Sequence, residues 1–524
     1  MSKQTFLKGT LILILAGFIT RVLGFINRIV VARFIGEEGV GLYMMAVPTL
    51  VLVITITQLG LPVAISKLVA EAEAQGDHRK IKKILVVSLA VTGTLSILFT
   101  PAMSFLAPIL AEDVFTDDRI KWPLLAIAPV VPIVAISSVI RGYFQGKQNM
   151  RPAAASQVLE QVVRISLVAL FTSAFLPYGI EYAAAGAMIS AVIGELVSLI
   201  YLAAMFKVKK KIKIRRKFFK SVKNGKETFN QLMSIALPTT GSRLIGSISW
   251  FFEPIVVANS LAIAGVLTTV ATKQYGGLTG YALPLLMLPS FITYSLSTSL
   301  VPAISEAMAQ NNLKLVEHRL QQSIRLSIVS GGLACVVLYI FAEPLMLVMY
   351  GSSQSAIFVK VMAPFFIFQY FQGPLQAVLQ ALDLAKAAMV NSLIGAAVKT
   401  ALIFVLATRP SLGIMGAALA IVIGIMLVTL LHFATVMKVS PFNIYIKDYF
   451  KSGLTMVASG FVGYLFYENV LVDGVIAFRL IAAISVTSIF YCILLLLLNL
   501  VEKDEINRIP YIGGQLSRLI PVKK

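Results

Sequence analysis

The chain has 524 residues, of which 58% are hydrophobic and 13% charged, and its mean hydropathy is +0.87. A soluble protein of this length needs far more charge to cover its surface, so the composition excludes an ordinary water-soluble domain. The net charge of +21, from 45 Lys and Arg against 24 Asp and Glu, must then sit mostly in the connections between apolar segments.

In chain order, apolar runs near the twenty-residue spanning length fall at residues 9–33, 42–66, 84–108, 122–140, 153–176, 182–205, 231–258, 281–304, 322–342, 357–380, 388–408, 414–436, 449–467 and 475–500. Lys3 and Lys8 precede the first run as in a signal peptide. That run continues without a small-residue cleavage site, so it reads as an uncleaved span. The expected fold class is an all-α polytopic membrane protein of about fourteen transmembrane helices.

The connections 67–83, 141–151, 207–227, 306–319, 381–387 and 437–451 lie on one side and are basic overall, residues 207–227 alone carrying a net charge of +10. The opposite connections hold Glu37, Glu38, Glu112, Asp113, Asp117 and Asp118. Positive loops stay in the cytoplasm, so the expected location is the cell membrane with both termini cytoplasmic. The 207–227 run reads as a linker lying on anionic lipid headgroups, and nucleic acid is not expected as a partner.

The two halves repeat. T-R-V-L-G-F-I-N from Thr20 to Asn27 is answered by S-R-L-I-G-S-I-S from Ser242 to Ser249. L-P-V-A-I-S at 61–66 is answered by V-P-A-I-S-E at 301–306, and Asp77-His78-Arg79 by Glu317-His318-Arg319 in the connection that follows. A-P-V-V-P at 128–132 resembles A-P-F-F-I at 363–367, and G-A-M-I-S-A-V-I-G at 186–194 parallels G-A-A-L-A-I-V-I-G at 416–424. Six spans per half keep both halves in one orientation, related by an axis along the membrane normal. The expected organisation is an N-terminal six-helix lobe (1–206), a basic cytoplasmic linker (207–230), a C-terminal six-helix lobe (231–437), and two extra transmembrane helices with a cytoplasmic tail (438–524).

Charges inside apolar runs carry the functional reading. An arginine at the centre of a membrane helix costs roughly 2.5–3.5 kcal/mol on insertion scales and is tolerated where it faces protein or water. Arg21 and Arg243 hold the same place in the two halves, and Arg28 lies seven residues after Arg21 on the same helix face, beside Asn27. Gln157, Glu160, Gln161 and Arg164 make a polar stripe, in which Glu160 and Arg164 can pair at i,i+4. Lys399 matches Arg164 by repeat alignment, with Asn391 two turns earlier, and Glu253 follows Arg243 by ten residues. One reading makes the arginines structural partners of Glu160, Glu195 and Glu253. The other counts more intramembrane bases than acids, a cationic cavity suited to an anion. The candidate substrate-binding residues are Arg21, Asn27, Arg28, Arg243, Glu160, Arg164, Lys399 and Glu253.

Cys335 and Cys492 have no ligand-spaced partner, and the 3 histidines join no C-x-x-C or H-E-x-x-H pattern, so no metal site, catalytic residue or cofactor is expected. An integral-membrane glycosyltransferase or polymer ligase needs acidic residues poised at the membrane surface, often on a sizeable loop, and the longest outer connection, residues 259–280, holds no acidic cluster. A transporter is expected in place of an enzyme. A non-transporting scaffold gives no reason to keep an unpaired cationic cavity.

The stretch Leu7 to Tyr43, L-K-G-T-L-I-L-I-L-A-G-F-I-T-R-V-L-G-F-I-N-R-I-V-V-A-R-F-I-G-E-E-G-V-G-L-Y, closely resembles the polysaccharide-transporter family of the multidrug/oligosaccharidyl-lipid/polysaccharide exporter superfamily, which includes relatives of the lipid II flippases. S-S-V-I-R-G-Y-F-Q-G-K-Q-N-M at 137–150 and P-T-T-G-S-R-L-I-G at 238–246 share the likeness, which covers nearly the whole chain and is weakest past about residue 440. The resemblance implies two six-helix lobes that open alternately inward and outward. For members in spore-forming bacilli it implies a part in building the spore cortex, a peptidoglycan layer.

The flippase relatives bind a lipid-linked diphosphate sugar with arginines in a central cavity. By resemblance, Arg21 matches the first of these, and the next falls on Asn27, with Arg28 one position on. The relatives' second-span arginines have no counterpart, because Pro48 is followed by T-L-V-L-V-I-T-I-T-Q, and no aspartate lies mid-span. The expected function is a flippase exporting a lipid-linked peptidoglycan precursor of the lipid II type. The alternatives are another undecaprenyl-linked polysaccharide unit or a scaffold for cortex synthesis. The expected partners are a lipid-linked anionic oligosaccharide, membrane lipids and cortex peptidoglycan synthesis enzymes.

Overall fold

The computed structural model describes residues 3–209, 225–310, 312–439 and 446–501, and among these residues the regular elements are helices. The first, α1 (Lys3–Gln58), has 56 residues. A continuous helix of that length rises about 84 Å, nearly three hydrocarbon thicknesses. It breaks at Gly36, where φ is 65° and ψ −177°, a combination that only glycine adopts without strain. The expected connection at 34–41 therefore shrinks to a single residue. A second glycine, Gly60 (φ 59°), turns the chain into α2 (Leu61–Ala74), and a Cβ there would lie 2.7 Å from the Ala236 carbonyl oxygen.

Asp77 starts α3 (His78–Ile109) by accepting hydrogen bonds from the Arg79 and Lys80 backbone N–H groups. A π-turn at Leu110–Val114 and a 3₁₀ turn at Asp118–Ile120 lead to α4 (Lys121–Ile127) and α5 (Val130–Gly146). Next come α6 (Met150–Phe175), α7 (Ile180–Lys209), α8 (Lys226–Ile263) and α9 (Thr268–Gly276). Most of the basic linker, 210–224, lies outside the described residues.

The remaining helices are α10 (Leu283–Met287), α11 (Ser290–Ala309), α12 (Leu313–Ile340), α13 (Ala342–Tyr350), α14 (Ala356–Met362), α15 (Ile367–Ala381), α16 (Ala385–Ala407), α17 (Ile414–Val439), α18 (Ile446–Asn469) and α19 (Ile476–Leu497). Asn312 caps α12 through the Leu315 N–H, so Glu317-His318-Arg319, expected in a connection, lies inside that helix.

The repeated Ala-Pro dipeptides coincide with helix breaks. Pro129 follows Ala128 between α4 and α5, and Pro364 follows Ala363 in the 3₁₀ turn between α14 and α15. In each case the proline ring removes a backbone donor and ends the preceding helix.

Contacts divide the chain into two compact units, Met1–Gly280 with Ile403–Ile414, and Tyr281–Leu402 with Met415–Lys524. The first unit has a core in which Leu61, Ile65, Leu68, Ile84, Tyr143, Phe206 and Leu232 are buried together. In the second, Ile304, Val316, Leu320, Leu375, Val378 and Val436 do the same.

Among the described residues, 11 helical runs are long and apolar enough to cross a membrane, or 12 with the bent pair Thr268–Met287 and Ser290–Ala309, whose axes differ by 53°. The first of these runs, Leu15–Ala74, has 60 residues, far beyond one crossing. The count of fourteen from the sequence divides that run in two and adds the less apolar α18.

Candidate functional site

Three helices of the first unit bring four charged side chains together. Ser137 and Arg141 are four apart on α5, Glu160 and Arg164 four apart on α6, and Glu195 and Ser198 three apart on α7, so each pair shares one helix face. The α6 and α7 backbones approach closely at two glycines. A Cβ on Gly194 would lie 2.9 Å from the Glu160 carbonyl oxygen, and one on Gly186 2.8 Å from that of Phe171. Small residues permit such close approach between membrane helices.

Arg164 Nη2 donates to Glu160 Oε1 at 2.7 Å, the i,i+4 pair expected from the sequence. Arg141 Nη2 donates to Glu195 Oε1 at 2.9 Å and to Ser198 Oγ at 3.1 Å, and lies 3.8 Å from Glu160 Oε2. The Ser137 hydroxyl donates to the same Glu195 oxygen at 2.6 Å. Two cations thus balance two anions. That balance is needed because an uncompensated buried charge costs several kcal/mol. Four atoms at or beside this cluster are buried without a hydrogen-bond partner: Arg141 Nε, Arg164 Nε, Gln161 Oε1 and Asn27 Oδ1.

The first helix meets the cluster at Gly24, where a Cβ would lie 3.9 Å from Gln161 Oε1. Arg21 precedes Gly24 by three residues and Arg28 follows by four, so both flank that meeting point. Both arginines are exposed, whereas Asn27, next to Arg28, is 6% exposed.

Arg243 is exposed on α8. One turn on, the Ser247 hydroxyl donates to the Arg243 carbonyl at 3.2 Å and lies 3.0 Å from the Thr55 hydroxyl. Glu253 is buried further along α8, in the electrostatic neighbourhood of Tyr275. Lys399 belongs to the second unit, half-buried on α16, where a Cβ on Gly424 would lie 2.9 Å from its own Cβ. Asn391 Nδ2 donates to Thr435 Oγ1 at 3.0 Å and lies 3.2 Å from His432 Nδ1.

Of the candidate residues, Glu160 and Arg164 are in direct contact, with Asn27, Arg21 and Arg28 around the neighbouring helix junction. Glu160 and Glu195 pair with Arg141 and Arg164. Neither Arg28 nor Arg243 has an ion pair among the described residues.

Arg141 was not among the sequence candidates. It lies at the end of an apolar run, in the basic connection 141–151 by sequence, but α5 continues to Gly146 and carries it as a helical residue. The available signal was its i,i+4 spacing from Ser137.

A second polar group lies where α3 gives way to α4. Asp117 is 4% exposed and accepts from Arg119 Nε and Nη2, both at 3.0 Å, and from the Thr272 hydroxyl at 2.7 Å. Arg119 Nη1 reaches Glu38 Oε1 at 2.6 Å. Burial pushes the Asp117 carboxyl up, but the Arg119 and Thr272 hydrogen bonds outweigh it and hold the group below the usual carboxylate range. Beside this network the backbones of α1 and α9 touch at glycines. A Cβ on Gly41 would overlap the Thr272 carbonyl, and one on Gly276 the Glu37 carbonyl.

Comparison with known proteins agrees with this architecture. Residues 6–308 match the polysaccharide biosynthesis protein family, and residues 277–405 match the MatE family. Stage V sporulation protein B of Bacillus subtilis (strain 168) is 67% identical over 518 residues, covering 99% of this chain and 100% of that protein. Lipid II flippase MurJ of the same organism is 26% identical over 416 residues, covering 76% of each chain. A solved structure of lipid II flippase MurJ in an inward closed conformation has the same fold, with a TM-score of 0.70 at 17% identity over 92% of this chain and 97% of that one. The chain is a multi-pass membrane protein and belongs to the polysaccharide biosynthesis protein family.

Proposed function

We propose that this chain is a flippase that exports an undecaprenyl-diphosphate-linked peptidoglycan precursor of the lipid II type for spore cortex synthesis. Arg21, Arg28 and Arg243 neutralise the diphosphate through charge-assisted hydrogen bonds while the lipid tail stays in the bilayer. Asn27, Glu160, Arg164, Glu253 and Lys399 line the path of the head group, within lobes 1–206 and 231–437 that open alternately to either side. Both termini are cytoplasmic. The names of the similar proteins, one a sporulation protein and one a lipid II flippase, support the cargo and the setting.

One observation carries the reading. Arg28 and Arg243 lie exposed on membrane helices with no ion pair among the described residues, while Glu160 and Glu195 pair with other arginines. At roughly 2.5–3.5 kcal/mol each on insertion scales, arginines kept in this state are provision for an anion that arrives from outside the protein. A second reading keeps the mechanism and changes the glycan, because no residue identified above reads the sugar.

The test is flipping of fluorescent lipid II in proteoliposomes, read as the fraction protected from dithionite. Purified protein should abolish the protected fraction, and the R243A variant should restore it. A protected fraction unchanged by wild-type protein would rule out lipid II. Movement of another undecaprenyl-linked unit in the same assay would select the second reading.

A further inference from the structure

The intramembrane cluster raises a question of charge. Glu160 and Glu195 both lie within 3.8 Å of one atom, Arg141 Nη2, and the remaining cation, Arg164, is already bonded to Glu160. With Arg141 the cluster sums to zero. Without it the sum is −1. This charge sits beside the Gly24–Gln161 junction flanked by Arg21 and Arg28. In a low-dielectric interior an unbalanced carboxylate at that place opposes the positive field of both arginines.

We propose that Arg141 is a specificity-determining residue: by neutralising Glu195 it keeps the two carboxylates from cancelling the cationic flank of α1, and so keeps the first unit selective for an anionic head group. The proposal rests on the anion-transport reading above and adds a residue to it. Arg141 acts through Glu195 and touches no substrate. Among the described residues, the charged groups paired with the two carboxylates are Arg141 from α5 and Arg164 from α6, while α1 meets this face at Gly24, beside Gln161. Ser137 donates to Glu195 Oε1, an oxygen that glutamine retains. The charge of Glu195 can therefore be removed with its hydrogen bond kept.

Two measurements on the purified full chain separate this role from a merely structural tether between helices. The first needs no substrate. Thermal unfolding of R141A should fall by several degrees at pH 8. The loss should be recovered in the double variant R141A/E195Q, in which the orphaned charge is gone and the Ser137 hydrogen bond is kept. A tether role predicts instead that the double variant is as unstable as R141A, and that result would overturn the proposal. So would an R141A whose stability is unchanged.

The second measurement is binding of undecaprenyl diphosphate in nanodiscs. R141A should weaken it at least tenfold, and R141A/E195Q should restore it to within about threefold of wild type. Failure of the double variant to restore binding overturns the proposal. If the wild-type chain itself binds no undecaprenyl diphosphate, the flippase reading fails and the link to an anionic head group fails with it. The E195Q rescue still decides whether Arg141 acts through charge.

Discussion

The Thr272 hydroxyl donates to the Asp117 carboxylate at 2.7 Å, tying α9 to a turn 155 residues earlier in the chain. The same carboxylate holds Arg119, and Arg119 holds Glu38 just beyond the Gly36 break. Two of the acidic residues that the sequence puts in the outer connections, Glu38 and Asp117, thus build a specific network.

Acid should dismantle that network. Asp117 is held below the usual carboxylate range, so its contribution to stability is present above the unfolded value of about 3.9 and disappears as pH falls through the lowered folded value. Unfolding temperature followed from pH 6 to pH 2 should therefore decline below about pH 4 in wild type, with a flatter decline in D117N. Replacing Thr272 with Val removes a hydrogen bond to a charged group and should cost about 1.5–3 kcal/mol at neutral pH. A T272V variant as stable as wild type would show that this bond contributes nothing.

Gly36 and Gly41 should respond differently to alanine. A Cβ on Gly36 meets no atom within 4 Å, so Gly36→Ala is strained by its backbone alone, at about 1–3 kcal/mol. A Cβ on Gly41 overlaps the Thr272 carbonyl, which is backbone and cannot rotate away. Gly41→Ala should therefore separate α1 from α9 and destabilise the protein more than Gly36→Ala does. Denaturation of the two variants side by side checks the order.

Removing Arg243 should stop cortex formation while leaving the protein at near-normal levels in the membrane. Its side chain has no ion pair among the described residues, so alanine relieves an insertion cost of roughly 2.5–3.5 kcal/mol and exposes no buried partner. Immunoblots of membrane fractions beside spore-cortex staining would decide. Degradation of R243A would mean that the arginine holds the fold together.

Transport should follow membrane potential. One charge crossing 100 mV is worth about 2.3 kcal/mol, and a diphosphate carries at least two negative charges outward, which an interior-negative potential favours. Any charge of the protein that moves out with the cargo moves back on the return, so over a full cycle the gain is that of the diphosphate alone. Valinomycin with high potassium should slow flipping, and replacing sodium with choline should leave it unchanged. Loss of flipping on sodium removal would point to a different coupling ion.

How much of this was legible in the sequence depended on the range of each interaction. Glu160 and Arg164 were found because their pairing is local, four residues along one helix. The sequence puts Asp77 in the connection 67–83, whereas in the structure it caps α3, which starts six residues before the apolar run at 84–108. Arg141 and Glu195 are 54 residues apart and carry no periodic signal. Arg141 also sits where an arginine usually reaches back to the headgroups, and so it was counted with the connection. The Gly36 break was read as a connection because glycine and two glutamates interrupt the apolar pattern. The helix in fact resumes at once, since one residue outside the helical region suffices to redirect it.

The charge-neutral cluster also constrains how the chain enters the membrane during synthesis. Glu160 and Arg164 arrive together on one helix and enter lipid as a self-compensated pair. Arg141 and Glu195 arrive on α5 and α7, each without its partner, and each meets an insertion cost on its own, reduced for Arg141 because it lies near the end of its helix. That cost disappears only when α5 and α7 stand side by side with α6. The three helices should therefore leave the insertion machinery as a group, and a chain arrested between α5 and α7 should remain with that machinery instead of partitioning into lipid.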